Sequence, residues 1–448
     1  MSEGLQTRFK RRVTNRAGDK LPIDTTEQLT PKERKNTMDK NTKLVIFDDD
    51  PTGIQTVHGC LLVTDWSAEN IERALTDSQP FFYILTNTRA LTPADAEKTL
   101  RSAVEAVVEV NKKHGFQLIC ISRSDSCLRG HFPLETDVMR QVLEENGIKV
   151  WPVTPFVPAF IESGRVTIDG THYMRDGETL IPVSETEFAR DNVFGYKNSV
   201  LTEYIREKGA NPDLYDIANA QNYDELYAYC DALFATIGTW DGAVVIRSSS
   251  SLPRAMSGIS DKALLSREDL GICGTAVGCF IVGSHVKKTT QQLESLLAAE
   301  GIRGIELPID RILDDAETLM QETLNQMLSL AQQGLTPVVF TARKEVRIDD
   351  VEKRQKLGKT VSDFLVDIVR RLPFIPSYLV AKGGITSHDI LTHGLEVSTA
   401  RVMGQAINSV PCIMAQRDGK NLPYIIFPGN VGGIDSLREV YEKYSLKA

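Results

Sequence analysis

Three consecutive aspartates, Asp48, Asp49 and Asp50, follow the apolar run of residues 43–47 and precede a Pro-Thr-Gly turn. Such a run predicts a buried β-strand, so the three carboxylates would crowd together at the end of that strand. Like charges in one place need a metal ion, an arginine or a substrate hydroxyl to balance them. A helix cap or a solvated turn is the alternative interpretation, and the apolar lead-in favours a functional site over both.

Polar stretches that contain serine, threonine or arginine follow three more of the predicted strands. They are residues 86–89, 122–131 and 154–158. In α/β sheets ligands bind beyond the carboxyl ends of the strands, so we expect these stretches to meet the aspartates at one crevice. Arg89, Arg123 and Arg129 could balance the aspartates, or could hold a planar substrate carboxylate through paired hydrogen bonds. Ion pairs within the protein are the alternative for any one of these arginines.

The histidines and serines give weaker indications of chemistry. His131 and His172 are interpreted as structural side chains satisfied by backbone groups, because the sequence fixes no carboxylate partner for them. His388 and His393 have no third ligand at a familiar spacing, which argues against a zinc site. Residues 248–251 are four serines without the G-x-S-x-G elbow of a nucleophile, so we predict a polar loop.

Glycine-rich turns follow predicted strands in the second half of the chain. They are Val282–His285, Lys382–Ser387 and Pro428–Gly433. Turns of this kind leave backbone N–H groups available, and three in one domain favour a cradle for a polyphosphate over ordinary turns. The chain contains neither the G-x-x-x-x-G-K-[ST] P-loop nor G-x-G-x-x-G, so neither of the common nucleotide-binding designs is predicted.

Short apolar runs alternate with amphipathic segments from residue 43 onward, which predicts an α/β fold. Predicted strands of the first half are residues 43–47, 59–64, 81–86, 117–122, 151–156 and 242–248, with a helix over residues 93–115. Predicted strands of the second half are residues 278–284, 304–308, 336–342 and 377–384, with a long helix near residues 355–371. A strand-rich tail follows them.

A chain of 448 residues exceeds the size at which one hydrophobic core keeps growing, which favours two domains. We expect residues 43–260 to form one α/β domain and residues 261–448 a second, with an active-site cleft between them. Residues 1–42 are polar and mildly basic, and they are interpreted as an N-terminal extension.

The composition excludes several classes of protein. A net charge of -9 argues against general binding to nucleic acid or to anionic membranes, because both need positive potential. No apolar window reaches the length of a membrane span, and the N-terminus lacks the apolar core of a secretory signal. Seven cysteines without a CxxC pair suit reduced thiols, so we expect a cytoplasmic protein.

One alternative function comes from the spacing of Asp48, Asp50 and Thr52, which matches the D-x-D-x-T start of haloacid dehalogenase-type phosphatases. In those enzymes the first aspartate attacks phosphorus and the second is the acid or base. The interpretation also needs an acidic pair that holds magnesium at a strand end. Asp314-Asp315 and Asp349-Asp350 do not follow apolar strands, so the match is weak.

A second resemblance covers residues from about 43 to 440. The motifs DDDPTGIQTVHG, LTNTRAL, SRSDSCLRGHFPLE, TPFVPAFIESGR, IPVSETEFARDNVFGY, IVGSHVKKTTQQ, AKGGITSHDI and PGNVGG occur in this order. The chain therefore resembles the four-carbon acid sugar kinase family. Cys127 stands where that family commonly has threonine, and Val431 replaces a usual phenylalanine.

The resemblance implies an ATP-dependent kinase that phosphorylates the 4-hydroxyl of threonate, erythronate or 3-oxo-tetronate. It implies a sugar-acid-binding N-terminal domain and a nucleotide-binding C-terminal domain. The implied ATP contacts are Ser284, Gly383, Gly384, Ile385, Thr386 and Gly429. The implied acid-sugar pocket contains Asp49, Asp50, Thr52, Arg89, Asp125 and Arg129.

Phosphoryl transfer requires positioning of the attacking oxygen and neutralisation of developing charge. We therefore expect Asp49 or Asp50 to accept the proton of the sugar-acid hydroxyl, Arg89 and Arg129 to hold its carboxylate, and Mg²⁺ to bind the phosphates of ATP. The expected partners are these small molecules, with neither nucleic acid nor membrane. The sequence leaves a homodimer open. A non-catalytic protein that senses both ligands is a third alternative.

Overall fold

The computed structural model describes residue 39, residues 41–343 and residues 351–445, with only the backbone described for residues 351–355. Of the predicted N-terminal extension, residues 1–42, the structure describes residues 39, 41 and 42, and the rest lies outside the described residues. The chain divides by packing into two compact units. Unit 1 contains the described residues up to Asp49 and Ile71–Asp261, and unit 2 contains Asp50–Asn70 and the described residues from Lys262 onward.

The strands are numbered in chain order. They are β1 (Thr42–Asp48), β2 (Leu61–Val63), β3 (Phe81–Leu85), β4 (Gln117–Arg123), β5 (Thr154–Val157), β6 (Arg165–Ile168), β7 (Thr171–Asp176), β8 (Thr179–Pro182), β9 (Tyr215–Ile217), β10 (Val244–Ser248), β11 (Gly278–Val282), β12 (Ile302–Leu307), β13 (Thr336–Thr341), β14 (Tyr378–Lys382), β15 (Thr399–Ile407), β16 (Val410–Arg417) and β17 (Lys420–Phe427).

The α-helices are numbered in the same way. They are α1 (Ala68–Leu75), α2 (Pro93–His114), α3 (Leu134–Glu145), α4 (Leu201–Glu207), α5 (Tyr223–Ile237), α6 (Ser251–Ser257), α7 (Lys287–Leu297), α8 (Ile309–Asp314), α9 (Ala316–Gln332), α10 (Val351–Arg370), α11 (Gly384–Asp389) and α12 (Ser436–Ser445). Short 3₁₀-helices cover Gly53–Thr56, Thr88–Ala90, Ile161–Ser163, Val183–Glu185, Glu187–Arg190 and Pro212–Leu214, and Ile390–Gly394 is a π-helix.

Unit 1 is built on a parallel sheet with the strand order β3-β1-β4-β10-β5-β9. β1 lies between β3 and β4, and all seven of its residues are buried.

Helix α2 shows how the local sequence sets the two ends of a helix. The side chain of Thr92 caps its start, Pro93 occupies its first turn, and Gly115 ends it with a positive φ of 68°.

A small antiparallel sheet, β6-β7-β8, follows β5 in the chain. An aromatic cluster in the same part of unit 1 contains Phe132, Phe156, Tyr204 and Tyr215, whose rings pack edge to face or stacked. This cluster fixes the segment around Phe132, which lies between the end of β4 and the start of α3.

Unit 2 combines two kinds of strand pairing. β12, β13, β11, β14 and β17 are parallel neighbours in that order, and β17, β16, β15 and β2 continue as antiparallel neighbours. The residues of β2 at the edge of this arrangement come from the early part of the chain. They pair with residues 399–401 of β15. Nothing in the local sequence of β2 indicates so distant a partner.

The predicted fold, two α/β domains, is confirmed. Most predicted strands and helices form within a few residues of their expected ends. The strands β6 to β9 and β15 were not predicted. The assignment of residues 43–260 and 261–448 to the two ligands stays a prediction, and by packing Asp50–Asn70 belongs to unit 2.

Gly278 in β11 offers a direct test of the packing in unit 2. Its strand neighbour in β14 is Tyr378, a fully buried residue whose hydroxyl bonds Ser445 Oγ at 2.7 Å. A methyl group on Gly278 would lie 2.6 Å from the Tyr378 hydroxyl oxygen. We predict that Gly278→Ala lowers the free energy of unfolding by about 1–3 kcal/mol, because the ring has no room to move.

Denaturant unfolding measures this effect, and Gly358→Ala is the matched control. Gly358 is exposed in α10, with no atom within 4 Å of an added methyl group. Alanine there should stabilise the helix by about 0.5–1 kcal/mol. Equal effects of the two substitutions would contradict the described packing.

Candidate functional site

The carboxyl ends of β1, β3 and β4 are joined by backbone hydrogen bonds. The Asp49 N–H donates to Arg123 O at 3.2 Å, and the Thr86 N–H donates to Asp48 O at 3.0 Å. The Arg89 N–H donates to Asp49 O at 3.3 Å. The aspartates at the end of β1 therefore lie directly beside the turns that carry Arg89 and Arg123.

Asp48 is fully buried and is neutralised by Arg123. The Arg123 Nη1 lies 3.0 Å from Asp48 Oδ1, and its Nη2 donates to Ser250 Oγ at 2.8 Å. Of the four serines predicted as a polar loop, Ser248 ends β10 and Ser251 begins α6, so only residues 249–250 form the connection, and all four are buried. Ser250 faces Arg123 and Ser251 donates to Glu162 at 2.7 Å, which explains why these hydroxyls lie inside the protein.

Asp49 is also buried, with 1% of its surface exposed, and three side chains contact its carboxylate. Arg89 Nη2 lies 3.1 Å and Arg123 Nη1 lies 3.7 Å from its Oδ1. Ser124 Oγ donates to its Oδ2 at 2.5 Å. Arginines therefore balance the crowded carboxylates of Asp48 and Asp49.

Asp125 extends the cluster away from β1. Arg129 reaches it with Nε and Nη2, both at 3.0 Å, and Arg89 Nη1 donates to it at 3.2 Å. Burial alone would raise the pKa of Asp125, but the charges of Arg129 and Arg89 outweigh burial and hold it well below its usual value. The carboxylate therefore stays ionised at neutral pH.

Four of the predicted pocket residues, Asp49, Arg89, Asp125 and Arg129, thus lie in one connected group in unit 1. Their roles toward a ligand stay predictions. Arg89 and Arg129 were expected to hold a substrate carboxylate, and in the structure both already contact carboxylates of the protein. Each keeps a partly exposed side chain.

Arg165 is a further arginine beside this group that was not selected from the sequence. It begins β6, and its guanidinium lies against the thiol of Cys127, where its charge opposes the burial that raises the pKa of Cys127 to about 11. Among the described residues it has no carboxylate partner, and its Nε is buried without a hydrogen bond. The residue ends the motif TPFVPAFIESGR, which was the available signal.

His131 and His172 are structural side chains satisfied by backbone groups, as predicted. His131 Nε2 lies 3.0 Å from Thr88 O, and His172 Nε2 lies 2.8 Å from Ser126 O. Burial lowers the pKa of His172 to about 4, although its hydrogen bond to Ser126 opposes this. Both rings hold the turns of the cluster through backbone carbonyls.

The three glycine-rich turns of unit 2 lie together. A methyl group on Gly429 would be 3.6 Å from Ser284 Oγ, and one on Gly383 would be 3.1 Å from the Ser284 Cβ. Thr289 bonds Ser284 Oγ at 3.1 Å and donates to Gly429 O at 3.3 Å. Gly383 has a φ of 118°, a conformation that a side chain would strain.

The rest of the predicted nucleotide contacts follow Gly383. Gly384 begins α11, Ile385 is exposed and Thr386 is buried. The side chain of Thr386 lies directly over Gly283, where a methyl group would overlap its hydroxyl. The structure therefore brings the predicted residues around Ser284 together, and contact with a nucleotide stays a prediction for each of them.

Asp50 and Thr52 lie in unit 2, and Asp50 is beside the glycine turn at Gly384. A methyl group on Gly384 would be 3.5 Å from Asp50 Oδ2. Oδ1 accepts from the Thr52 N–H at 2.8 Å and from its hydroxyl. Burial lowers the pKa of His388 in α11, and the charges of Asp389 and Asp50 oppose this effect.

Lys382 is a second residue that sequence reasoning did not select. It is fully buried at the end of β14, and its Nζ donates to Pro428 O at 2.6 Å and to Gly429 O at 3.2 Å. The same atom lies 4.1 Å from the centre of the Phe427 ring. Burial, with the nearby charge of Lys288, lowers the pKa of Lys382 to about 7. Lys382 thus fastens one glycine turn to the strand that carries another.

The described residues contain no group of three His, Cys, Asp or Glu side chains that could hold a metal ion by themselves. A magnesium ion on a nucleotide is held largely by phosphate oxygens and water, and it needs only one or two carboxylates from the protein. Asp50 supplies one carboxylate beside a glycine turn. The residues present therefore fit magnesium carried by a nucleotide.

Two family models match the chain. A sugar-binding N-terminal domain matches residues 44–246, and a nucleotide-binding C-terminal domain matches residues 279–437. The chain belongs to the four-carbon acid sugar kinase family. The glycine turns lie within the nucleotide-binding match, and the cluster around Asp49 lies within the sugar-binding match. This pair of domains is the combination found in a sugar kinase.

Two solved structures with a similar fold support the architecture. The Haemophilus influenzae protein HI1011, of family DUF1537, is 15% identical with a TM-score of 0.59, and the match covers 89% of this chain and 100% of that one. A Salmonella typhimurium LT2 protein provisionally named a tRNA synthase is 17% identical with a TM-score of 0.65, covering 90% and 100%. The comparison with curated proteins gives no match.

The charge state of Lys382 gives a prediction for unit 2. Between pH 7 and 10.5 the unfolded lysine keeps a proton that the folded protein releases, so this residue makes stability rise with pH. We predict that Lys382→Met removes this pH-dependent increase in the free energy of unfolding. The increase amounts to at most about 5 kcal/mol between pH 7 and 10.5.

Chemical denaturation at pH 6.5 to 10 measures the slope. The control is Lys287→Met, which changes an exposed lysine at the start of α7 and should keep the wild-type slope. A slope retained in Lys382→Met would show that Lys382 is not the responsible group.

Proposed function

We propose that this protein is an ATP-dependent kinase that transfers the γ-phosphate to the 4-hydroxyl of a four-carbon sugar acid. Threonate, erythronate and 3-oxo-tetronate are the candidate acceptors. Family membership and the pairing of a sugar-binding with a nucleotide-binding domain support a sugar kinase. The seven cysteines are all free thiols, which suits a cytoplasmic enzyme. None of the described helices has the length and apolar character needed to cross a membrane.

The observation that carries the proposal is the position of Asp50. Its chain neighbour Asp49 belongs to the arginine-balanced cluster of unit 1, while its own carboxylate lies beside Gly384 in a predicted phosphate turn. A kinase needs a carboxylate that can reach both the acceptor hydroxyl and the terminal phosphate. Among Asp48, Asp49 and Asp50, it is Asp50 whose carboxylate lies beside a predicted phosphate turn.

Asp50 also suits the role of base better than Asp49. The oxygens of Asp49 already accept from Arg89 and Ser124, and the residue is almost wholly buried. Asp50 is partly exposed, and its Oδ1 accepts from the N–H and the hydroxyl of Thr52 in the same turn. In the proposed step Asp50 takes the proton as the sugar-acid oxygen attacks phosphorus, and Asp49 orients Arg89.

ATP would lie against the glycine turns around Ser284, where Gly383 and Gly429 allow close approach of phosphate to the backbone. Bound Mg²⁺ would neutralise charge on the phosphates. Backbone N–H groups can stabilise the charge that develops on the transferred group without reorganising. A carboxyl base, a phosphate cradle and an arginine for the acid's carboxylate are together sufficient for this reaction class.

The carboxylate of the acceptor needs a guanidinium that protein carboxylates do not already neutralise. Arg89 contacts Asp49 and Asp125, and Arg129 contacts Asp125 and Asp191. Arg165 has no such partner among the residues that the structure describes. Its guanidinium contacts the thiol of Cys127, and Cys127 is two positions after Asp125 in the chain. We therefore include Arg165 among the groups that bind the acid.

The phosphatase alternative is disfavoured by the surroundings of Asp48. A nucleophile must reach phosphorus, and Asp48 is fully buried in an ion pair with Arg123. Asp314 ends the short helix α8 and Asp315 lies between α8 and α9, so neither directly follows a strand. Asp349-Asp350 lie outside the described residues.

The kinase proposal predicts ATP-dependent phosphorylation of at least one tetronate. Purified protein is incubated with ATP, Mg²⁺ and a panel of threonates, erythronates and 3-oxo acids, and ADP and the 4-phosphate are measured. Asp50→Asn should lower kcat by about 10²- to 10⁴-fold, the usual effect of losing a base. Asp241→Asn, at a fully exposed site of unit 1, is the control.

The same assay separates the alternatives. Phosphate release from an ester without nucleotide would indicate a phosphatase, and binding of both ligands without turnover would indicate a sensor. Near-native kcat in both Asp50→Asn and Asp49→Asn would show that neither residue is the base.

Arg165→Met tests recognition of the acid. A hydrogen bond to a charged group is worth about 1.5–3 kcal/mol, so KM for the tetronate should rise about 10- to 100-fold, while KM for ATP stays unchanged. Arg175→Met changes an exposed arginine of the neighbouring strand β7 and should have no effect. Unchanged KM in Arg165→Met would exclude this arginine from the pocket.

A further inference from the structure

Glu135, in the first turn of α3, is a buried carboxyl that neither ligand site uses. It is 5% exposed, and both of its oxygens are hydrogen-bonded. Thr88 Oγ1 donates to Oε1 at 2.7 Å, and Ser122 Oγ donates to Oε2 at 2.9 Å. One side chain from a helix therefore joins the turn after β3 to the end of β4.

The two hydroxyl residues have equivalent places in the chain. Thr88 immediately precedes Arg89, and Ser122 immediately precedes Arg123. Those arginines are the ones that contact Asp49, at 3.1 Å and 3.7 Å. A shift of either hydroxyl would move the attached arginine relative to Asp49, because each pair is joined by one peptide unit.

The charged groups that face Glu135 come from two strands. Asp49 at the end of β1 repels its carboxylate, and the fully buried Arg247 of β10 attracts it. The hydroxyls of Thr88 and Ser122 also favour the ionised form, and Tyr204 of α4 lies within electrostatic reach. Burial and the charge of Asp49 outweigh the favourable groups and raise the pKa of Glu135 to about 7.

We propose that Glu135 is a positioning residue that orients Arg89 and Arg123 on Asp49 through the hydroxyls of Thr88 and Ser122. The ionised carboxylate accepts both hydrogen bonds at once. A protonated carboxyl donates from the oxygen that carries its proton, so one of the two hydroxyls becomes the acceptor and the hydrogen bond to its turn is reversed. The geometry in which both hydroxyls donate to Glu135 therefore belongs to the ionised carboxylate. This role deepens the proposed kinase function and rests on it for the activity readout.

Glu135→Gln is the principal test, with ATP and the accepted tetronate as substrates. The amide cannot ionise, so kcat should fall about 10- to 100-fold at pH 8, which is the scale expected when catalytic groups are misplaced. The wild type should lose activity below a midpoint near pH 7, and this limb should be absent in the variant. Glu144→Gln, an exposed glutamate of the same helix, should retain both the rate and the limb.

A double-mutant cycle separates positioning from a general structural effect. Thr88→Val and Ser122→Ala remove the two donors without touching Glu135. If the carboxyl acts through these hydroxyls, adding Glu135→Gln to the double variant should lower kcat little further. Fully additive losses, or a wild-type rate and pH limb in Glu135→Gln, would overturn the proposal.

A measurement without substrate distinguishes failure of this proposal from failure of the kinase function. The folded protein binds a proton at Glu135 between about pH 4.5 and 7 that the unfolded chain has released, so its contribution to stability is lost as pH rises through 7. The wild type should therefore lose stability relative to Glu135→Gln between pH 5 and 8. A parallel pH dependence in both proteins would contradict the proposal even if no tetronate is phosphorylated.

Discussion

The buried carboxylates of Asp48 and Asp49 impose the constraint on which the rest of unit 1 depends. Moving an ionised carboxylate out of water costs several kcal/mol unless opposite charge and hydrogen bonds compensate for it. Arg123, 3.0 Å from Asp48, and Arg89, 3.1 Å from Asp49, supply that compensation. These arginines follow or end the two strands that flank β1. The strand order β3-β1-β4 is therefore what makes the acidic end of β1 stable.

The same compensation produces a site whose polar groups are already oriented. Arg89 joins Asp49 to Asp125, and Arg129 holds Asp125 from the other side. Groups fixed in this way need little reorganisation when charge develops, which is the main requirement of phosphoryl transfer. Asp50 is the first residue beyond the neutralised cluster. It is partly exposed, begins the segment Asp50–Asn70 of unit 2 and lies beside Gly384.

Local pattern predicted the parts of the site that lie at strand ends. Apolar runs followed by polar turns identified Asp49, Arg89 and Asp125 as neighbours, and the glycine turns around Ser284 were found in the same way. Glu135 and Lys382 were not selected, because a charged residue in a helix or at a strand end looks solvated until tertiary packing buries it. Pairing of β2 with β15 joins residues more than 300 positions apart. No local signal carries that information.

A crystal structure with a non-hydrolysable ATP analogue, Mg²⁺ and the accepted tetronate tests the central claim most directly. The arginine-balanced aspartates should remain in place, and the 4-hydroxyl of the acid should lie within about 3.2 Å of the Asp50 carboxylate. The terminal phosphate should lie at the glycine turn of Gly384. An acid bound away from Asp50, or one that displaces Arg89 from Asp49, would contradict the claim that this preformed cluster positions the acceptor.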